Sequence, residues 1–133
     1  MAATEVLQRY FDAFNAGDKA GMLAELADDV EHHVNEGKVR KGKDLFSEFC
    51  DHMDRCYREC LTDMVFMVNE DGTRASAEFI VNGEYLTTDE GLPEAKGQTY
   101  KLPAGSFMTL KDDKITRVTT YYNLSDWIRQ VSA

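Results

Sequence analysis

The sequence predicts an α+β fold in which helices cover the concave side of one strongly curved, mainly antiparallel sheet. Three observations point to it. The first half carries apolar residues at helical spacing, the second half alternates with a period of two, and Asp-Gly and Asp-Asp pairs punctuate that second half like hairpin turns. Helices followed by a run of antiparallel strands must share one core, which gives two layers. A sheet curved around a long N-terminal helix leaves a cone, and the open end of a cone suits a small ligand.

Residues 1–133 are expected to form one domain, long enough to bury roughly two-thirds of the surface that the unfolded chain exposes. Hydrophobic residues at 43% with only 2 prolines describe a chain that can offset its ordering entropy by burial. With 24 acidic against 15 basic residues the formal charge is −9, which argues against nucleic acid and anionic membrane as partners. The basic group Lys38, Arg40, Lys41 and Lys43 reads as solvated turn charge. Neither a run of about 18 apolar residues nor a basic-then-apolar leader is found. Cys50, Cys56 and Cys60 crowd one predicted helix where they cannot easily pair, so a reducing, cytoplasmic setting is expected.

In order, Thr4 to Asn15 places Val6, Leu7, Tyr10, Phe11 and Phe14 on one helical face, with Thr4 as N-cap and Gly17 as the stop. Asp18 caps a second, short helix that buries Met22, Leu23 and Leu26, and Asp28-Asp29 ends it. The rest of the chain is organised around Val30-Glu31-His32-His33-Val34-Asn35, within Leu26 to Gly42. Alternation puts Val30, His32 and Val34 on the inward face of a strand and Glu31, His33 and Asn35 on the other. A charged turn, Glu36 to Gly42, leads to a third helix from Lys43 to Cys60, with Leu45, Phe46, Phe49, Cys50, Met53, Cys56 and Tyr57 as its apolar stripe. Thr62 to Val68 and Arg74 to Thr87 form a hairpin around Asp71-Gly72, and Gly83 marks a bend or bulge. After a polar loop, Thr88 to Gly97, a second hairpin joins Tyr100 to Leu110 with Lys114 to Leu124. A short helix, Asp126 to Val131, docks Trp127 and Ile128.

With these elements in place, the chain resembles the nuclear transport factor two-like, or cystatin-like, superfamily, and within it the ketosteroid isomerase-related and SnoaL-like groups. The resemblance rests on Arg9-Tyr10, Asn15-Ala16-Gly17-Asp18, Leu26-Ala27-Asp28-Asp29 and Val118 to Leu124. It implies a cone-shaped barrel wrapped around the long N-terminal helix with two further helices, a homodimer formed through the sheet, and a pocket for a small apolar or carbonyl-bearing molecule. It specifies activity less narrowly, since one fold hosts many chemistries. In the steroid isomerases of this group an aspartate moves a proton while a tyrosine and a protonated aspartic acid hold the oxygen. Tyr10 matches the tyrosine. The base position falls on Val34 and the second acid near Gly105 or Ser106, so that mechanism in its known form is not expected.

What remains is Tyr10 as a hydrogen-bond donor and His32, on the face of Val34, as an acid–base group whose ordinary pKa lies near neutrality. The ligand-lining candidates are Phe14, Val34, Asn35, Met53, Phe79, Ser106, Met108, Thr120 and Tyr122. Isomerisation, aldol-type cyclisation and dehydration all fit such a pair, and none of them implies a metal or an organic cofactor. His52, Cys56 and Cys60, at i, i+4 and i+8, look like a ligand array, but three groups stacked on one helix diverge along its axis, so no metal is implied. Two rival readings stand beside the enzyme. One is a non-catalytic carrier or sensor, favoured by the loss of both aspartates. The other is a protein-interaction module that uses the sheet face, its cone plugged by Phe14, Phe79, Met108 and Tyr122. The sequence holds no Gly-rich phosphate loop, no Gly-x-Ser-x-Gly elbow and no carboxylate pair spaced on an inward face.

Overall fold

The computed structural model describes residues 2–33 and 37–132. Among them α1 (Ala3–Ala16) and α2 (Lys19–Ala24) come first, followed by β1 (Leu26–His33), β2 (Val39–Lys41), α3 (Lys43–Cys56), β3 (Tyr57–Val68), β4 (Arg74–Tyr85), β5 (Thr99–Lys111), β6 (Lys114–Tyr122) and α4 (Leu124–Ser132). The six strands make one curved sheet in the order β2-β1-β6-β5-β4-β3, antiparallel except where β1 runs parallel to β6. The expected α+β cone is present, and its sheet stays open, with β2 and β3 as free edges. No helix among the described residues is long and apolar enough to cross a membrane.

Alternation decides which side of the sheet is covered. Along β4, Ala75, Ala77, Phe79 and Val81 are buried while the residues between them are not. Against this face α1 lays Val6, Leu7, Tyr10 and Phe11; the Phe11 ring stacks on Phe66 of β3 at 6.1 Å and tilts onto Phe79 of β4 at 5.6 Å. Burying one such side chain fully stabilises the fold by about 1.5–3 kcal/mol. α3 covers β1, and α4 covers β5 with Trp127 set against Tyr57, Tyr85 and Tyr100.

The helix ends follow local chemistry, with corrections. The N-cap of α1 is Ala2, which offers no side-chain bond, and Thr4 lies inside the first turn. Gly17 ends the helix in the left-handed region at φ 70°, and Asp18 caps α2 by accepting from the Gly21 N–H at 2.9 Å. Because α2 stops at Ala24, Leu26, Asp28 and Asp29 belong to β1, where the two aspartates are exposed in an irregular stretch of the β1–β6 ladder. Val30 and His32 face inward as expected, at 0% and 5% exposure; Val34 and Asn35 lie outside the described residues. β2, paired with β1, occupies part of the expected charged turn.

Two corrections bear on function. α3 ends at Cys56 rather than Cys60, since Tyr57 is already extended (φ −136°, ψ 150°) and the segment Tyr57 to Thr62 pairs with Ile80 to Tyr85. Gly83 is neither bend nor bulge, because the register runs unbroken through Glu59, Gly83 and Tyr100. A Cβ at position 83 would stand 2.2 Å from Tyr100 Cζ. The missing side chain is what lets the Tyr100 ring cross β4 and donate to the Glu59 carboxylate on β3. At the free edge of β3, Asn15 substitutes for a neighbouring strand, accepting from the Leu61 N–H at 2.8 Å and donating to its carbonyl at 2.9 Å.

Gly83→Ala should lower stability by about 1–3 kcal/mol in urea unfolding, the usual penalty for overpacking. The loss should shrink in a Tyr100→Ala background, which removes the clashing ring. An equal loss in both backgrounds would show that the ring is not what the glycine accommodates.

Candidate functional site

His32 sits on β1 opposite Arg40 of β2 and Val118 of β6, so the sheet fixes its backbone on both sides. Its ring lies between two phenylalanines of α3, with centroids 4.9 Å from Phe46 and 4.4 Å from Phe49. Nδ1 is buried and has no hydrogen-bond partner among the described residues. Burial, then the charge of Arg40, then His33, bring its pKa down to about 4. The imidazole is therefore neutral at physiological pH, with a polar atom facing an aromatic cage. His33 points the other way, within 3.2 Å of Glu31 Oε1, as alternation requires.

Tyr10 is on α1. It is 5% exposed and edge-on to Phe11 at 5.0 Å. Burial first, and Cys50 second, hold its phenol well above the ordinary tyrosine range. Cys50, buried on α3, is itself pushed up to about 11, by burial first and Asp54 second. Tyr10 is thus a protonated donor at any physiological pH. The Cys50 thiol of α3 acts on the Tyr10 phenol electrostatically, and His32 packs on Phe46 and Phe49 of the same helix.

The other expected lining residues divide by burial. Phe79, Ser106 and Met108 are 3%, 2% and 1% exposed; Phe79 packs on Phe11, and Ser106 Oγ bonds Thr120 Oγ1 across β5 and β6 at 2.7 Å. Phe14, Met53 and Thr120 are half-buried, and Tyr122 is exposed on β6. Neither of two surface depressions formed by the described residues is lined by Tyr10 or His32.

One of them, of about 750 Å³, exposes a group that sequence reading missed. Asn15, Glu59, Gly83, Tyr100 and Gln130 are among its walls, and within it the Glu59 carboxylate accepts from the Tyr100 hydroxyl. Burial raises the pKa of Glu59 against the opposing effect of that bond. Extending α3 to Cys60 had hidden this inward carboxylate on a helix. The alternation Tyr57, Glu59, Leu61, with Glu59 paired to a glycine on the adjacent strand β4, was the available signal.

The SnoaL-like domain matches residues 7–118. A candidate polyketide cyclase of Silicibacter sp. TM1040 is similar at 66% identity over 99% of this chain and 96% of its own, with a TM-score of 0.97. A candidate polyketide cyclase of Pseudomonas putida KT2440 is similar at 56% identity over 98% of both chains, with a TM-score of 0.97. An NTF2-like protein of unknown function from Burkholderia pseudomallei K96243, at 17% identity over 98% of both chains and a TM-score of 0.77, shares the fold. No curated protein matches the chain in sequence. By the family match over residues 7–118, the chain belongs to the SnoaL-like domain family.

Proposed function

We propose that this protein binds a small, largely apolar, carbonyl-bearing molecule against its concave face and acts on it by acid–base chemistry of the isomerase, cyclase or dehydratase type. The observation that carries the reading is the buried Nδ1 of His32, which has no hydrogen-bond partner among the described residues. Native interiors leave few polar atoms without partners, and a neutral imidazole in an aromatic cage retains the lone pair that proton abstraction needs. Tyr10, kept protonated by burial, is the donor for a carbonyl or enolate oxygen.

Similarity at 66% and 56% identity to candidate polyketide cyclases favours an aldol-type ring closure within this class. His32 would take a proton from a carbon flanked by carbonyls, and the resulting enolate carbon would attack a second carbonyl of the same molecule. The proton then returns to the new alkoxide, so the step balances without a cofactor. A carrier on the same fold would bind the same molecules and release them unchanged.

The outer face of the sheet supports a homodimer. Val65 and Met67 of β3, Phe107 of β5 and Tyr121 of β6 are 51%, 49%, 47% and 56% exposed. They fall on two adjacent cross-strand rows, Met67, Ser76, Phe107, Thr119 and Val65, Glu78, Gly105, Tyr121. Phe107 and Tyr121, with ring centroids 5.8 Å apart, form exposed apolar surface of the kind that marks an association face. The free cysteines Cys50, Cys56 and Cys60 support a reducing, cytoplasmic setting.

Calorimetry and turnover assays with aromatic polyketide-like β-dicarbonyl compounds test the enzyme. Tyr10→Phe should lower kcat by about 100-fold or more with little change in stability. His32→Leu should abolish turnover and raise stability at neutral pH by about 1–3 kcal/mol, because it removes an unsatisfied buried atom. A His32→Leu variant that is active, or that loses stability, would sink the assignment.

The same ring makes stability pH-dependent. Its folded-state pKa of about 4 lies below the ordinary 6.5, so the folded state prefers the neutral form, and stability is lost as pH falls from 6.5 through 4. The loss amounts to about 3 kcal/mol when complete. Urea titrations across that window should show it in the wild type and not in His32→Leu.

For the dimer, Phe107→Asp combined with Tyr121→Lys should give a monomer in sedimentation at micromolar concentration. A wild-type monomer under the same conditions would refute the assembly.

A further inference from the structure

Away from the concave face, His52 and Cys56 of α3 meet Asp89 of the β4–β5 loop. One ligand atom from each lies within 4.8 Å of the other two. His52 Nε2 is 2.9 Å from Asp89 Oδ1. The second oxygen of Asp89 accepts from the Tyr57 hydroxyl at 2.6 Å, and the Asp89 N–H donates to the Tyr85 hydroxyl at 2.9 Å. The carboxylate is thus held by its own backbone and by a neighbouring phenol. Cys56 is 2% exposed, while His52 and Asp89 are half-buried.

We propose that His52, Cys56 and Asp89 form a binding site for a divalent transition-metal ion, zinc best of all. The donor set of one thiolate, one imidazole and one carboxylate suits zinc and excludes calcium and magnesium, which take oxygen ligands. Zinc–nitrogen and zinc–oxygen bonds of about 2 Å and zinc–sulfur bonds of about 2.3 Å place tetrahedral donors roughly 3.3–3.8 Å apart, within the spread seen here. The thiolate and the carboxylate together neutralise the ion. The objection that three ligands on one helix diverge applies to His52, Cys56 and Cys60, and the fold removes it. Cys60 leaves the helix and is exposed on β3, and Asp89 approaches from a separate element.

The alternative reading, a Cys-His-Asp nucleophilic triad, fails on geometry. The imidazole directs Nε2 at Asp89, and its Nδ1 accepts from the Arg55 guanidinium at 3.1 Å. Neither nitrogen remains to take a thiol proton. Metal binding at Nε2 moves the ring proton to Nδ1, turns the exposed Arg55 to solvent and releases the Cys56 proton to water. Three protein ligands leave the fourth position to water, and His52 and Asp89 open it to solvent.

Cobalt titration of the purified chain gives two readouts. A thiolate-to-cobalt charge-transfer band should appear at one ion per chain. The fluorescence of Trp127, the chain's 1 tryptophan, should be quenched, since its ring lies 6.0 Å from Tyr57 beside the site. Cys56→Ser should remove the band, and Asp89→Asn should weaken binding by about tenfold or more. Cys60→Ser should leave both readouts intact. Should Cys56→Ser fail to fold, Asp89→Asn and His52→Ala decide the matter. No band, a band that survives Cys56→Ser, or one lost in Cys60→Ser would overturn the site.

Discussion

The pairing of Tyr57 to Thr62 with Ile80 to Tyr85 is the constraint on which most of the lower half of the molecule depends. Helical periodicity would carry α3 onward to Cys60, since Cys56 and Tyr57 continue its apolar stripe. The ladder wins because a strand edge left by β4 offers a backbone partner for each of those residues, while a further helical turn would project away from the sheet. Its consequences follow in sequence. Cys56 becomes the last helical residue, Tyr57 turns its hydroxyl to Asp89, and Glu59 is placed on the concave side under the Tyr100 ring. Gly83 completes the arrangement from the middle strand, where any side chain would occupy the space of that ring.

A second constraint acts at the other end of the sheet. β1 is held between β2 and β6, so His32 cannot turn outward without losing two ladders at once. A buried imidazole with an unpaired nitrogen destabilises the fold it sits in, and an aliphatic residue would pack between Phe46 and Phe49 without that penalty. Polar groups placed against the interest of stability are where function is sought first. The packing of Phe11 on Phe66 and Phe79 supplies the apolar burial that offsets it.

Much of this was legible in the sequence, and the misses have a physical pattern. The inward position of His32, the Gly17 stop, the Asp18 cap and both hairpins followed from local rules that tertiary contacts did not override. Asp112 and Asp113, at φ 52° and 62°, occupy the left-handed region that a two-residue hairpin turn requires. The errors fall where two periodicities overlap or where a residue acts through space. Asp28-Asp29 reads as a helix breaker yet sits in a strand, because exposed aspartates are tolerated at an irregular part of the ladder. Glu59 and Asp89 were invisible for a different reason. Each gains its meaning from a partner far along the chain, Tyr100 and His52, which only the folded chain brings near. Of the named lining residues, Phe79, Ser106 and Met108 are buried, and alternation alone cannot separate a core position from a pocket wall.

The electrostatics of the concave side tie these strands together. Burial lowers the pKa of His32 and raises those of Tyr10, Cys50 and Glu59, so each group is driven toward its uncharged form. The formal charge of −9 is therefore carried by other parts of the chain, while the inward groups keep donors and lone pairs without net charge. An interior of that kind discriminates against ionic ligands, whose desolvation it would not compensate, and accepts neutral molecules whose oxygens need a donor. It also means that charge created during a reaction, an enolate beside Tyr10 or an imidazolium at His32, would be strongly felt, since little solvent is present to screen it. Acid–base chemistry in such a site requires proton donor and acceptor to be used within one encounter, before either charge has to persist. That condition fits a ring closure or an isomerisation, in which the proton removed is returned to the same molecule.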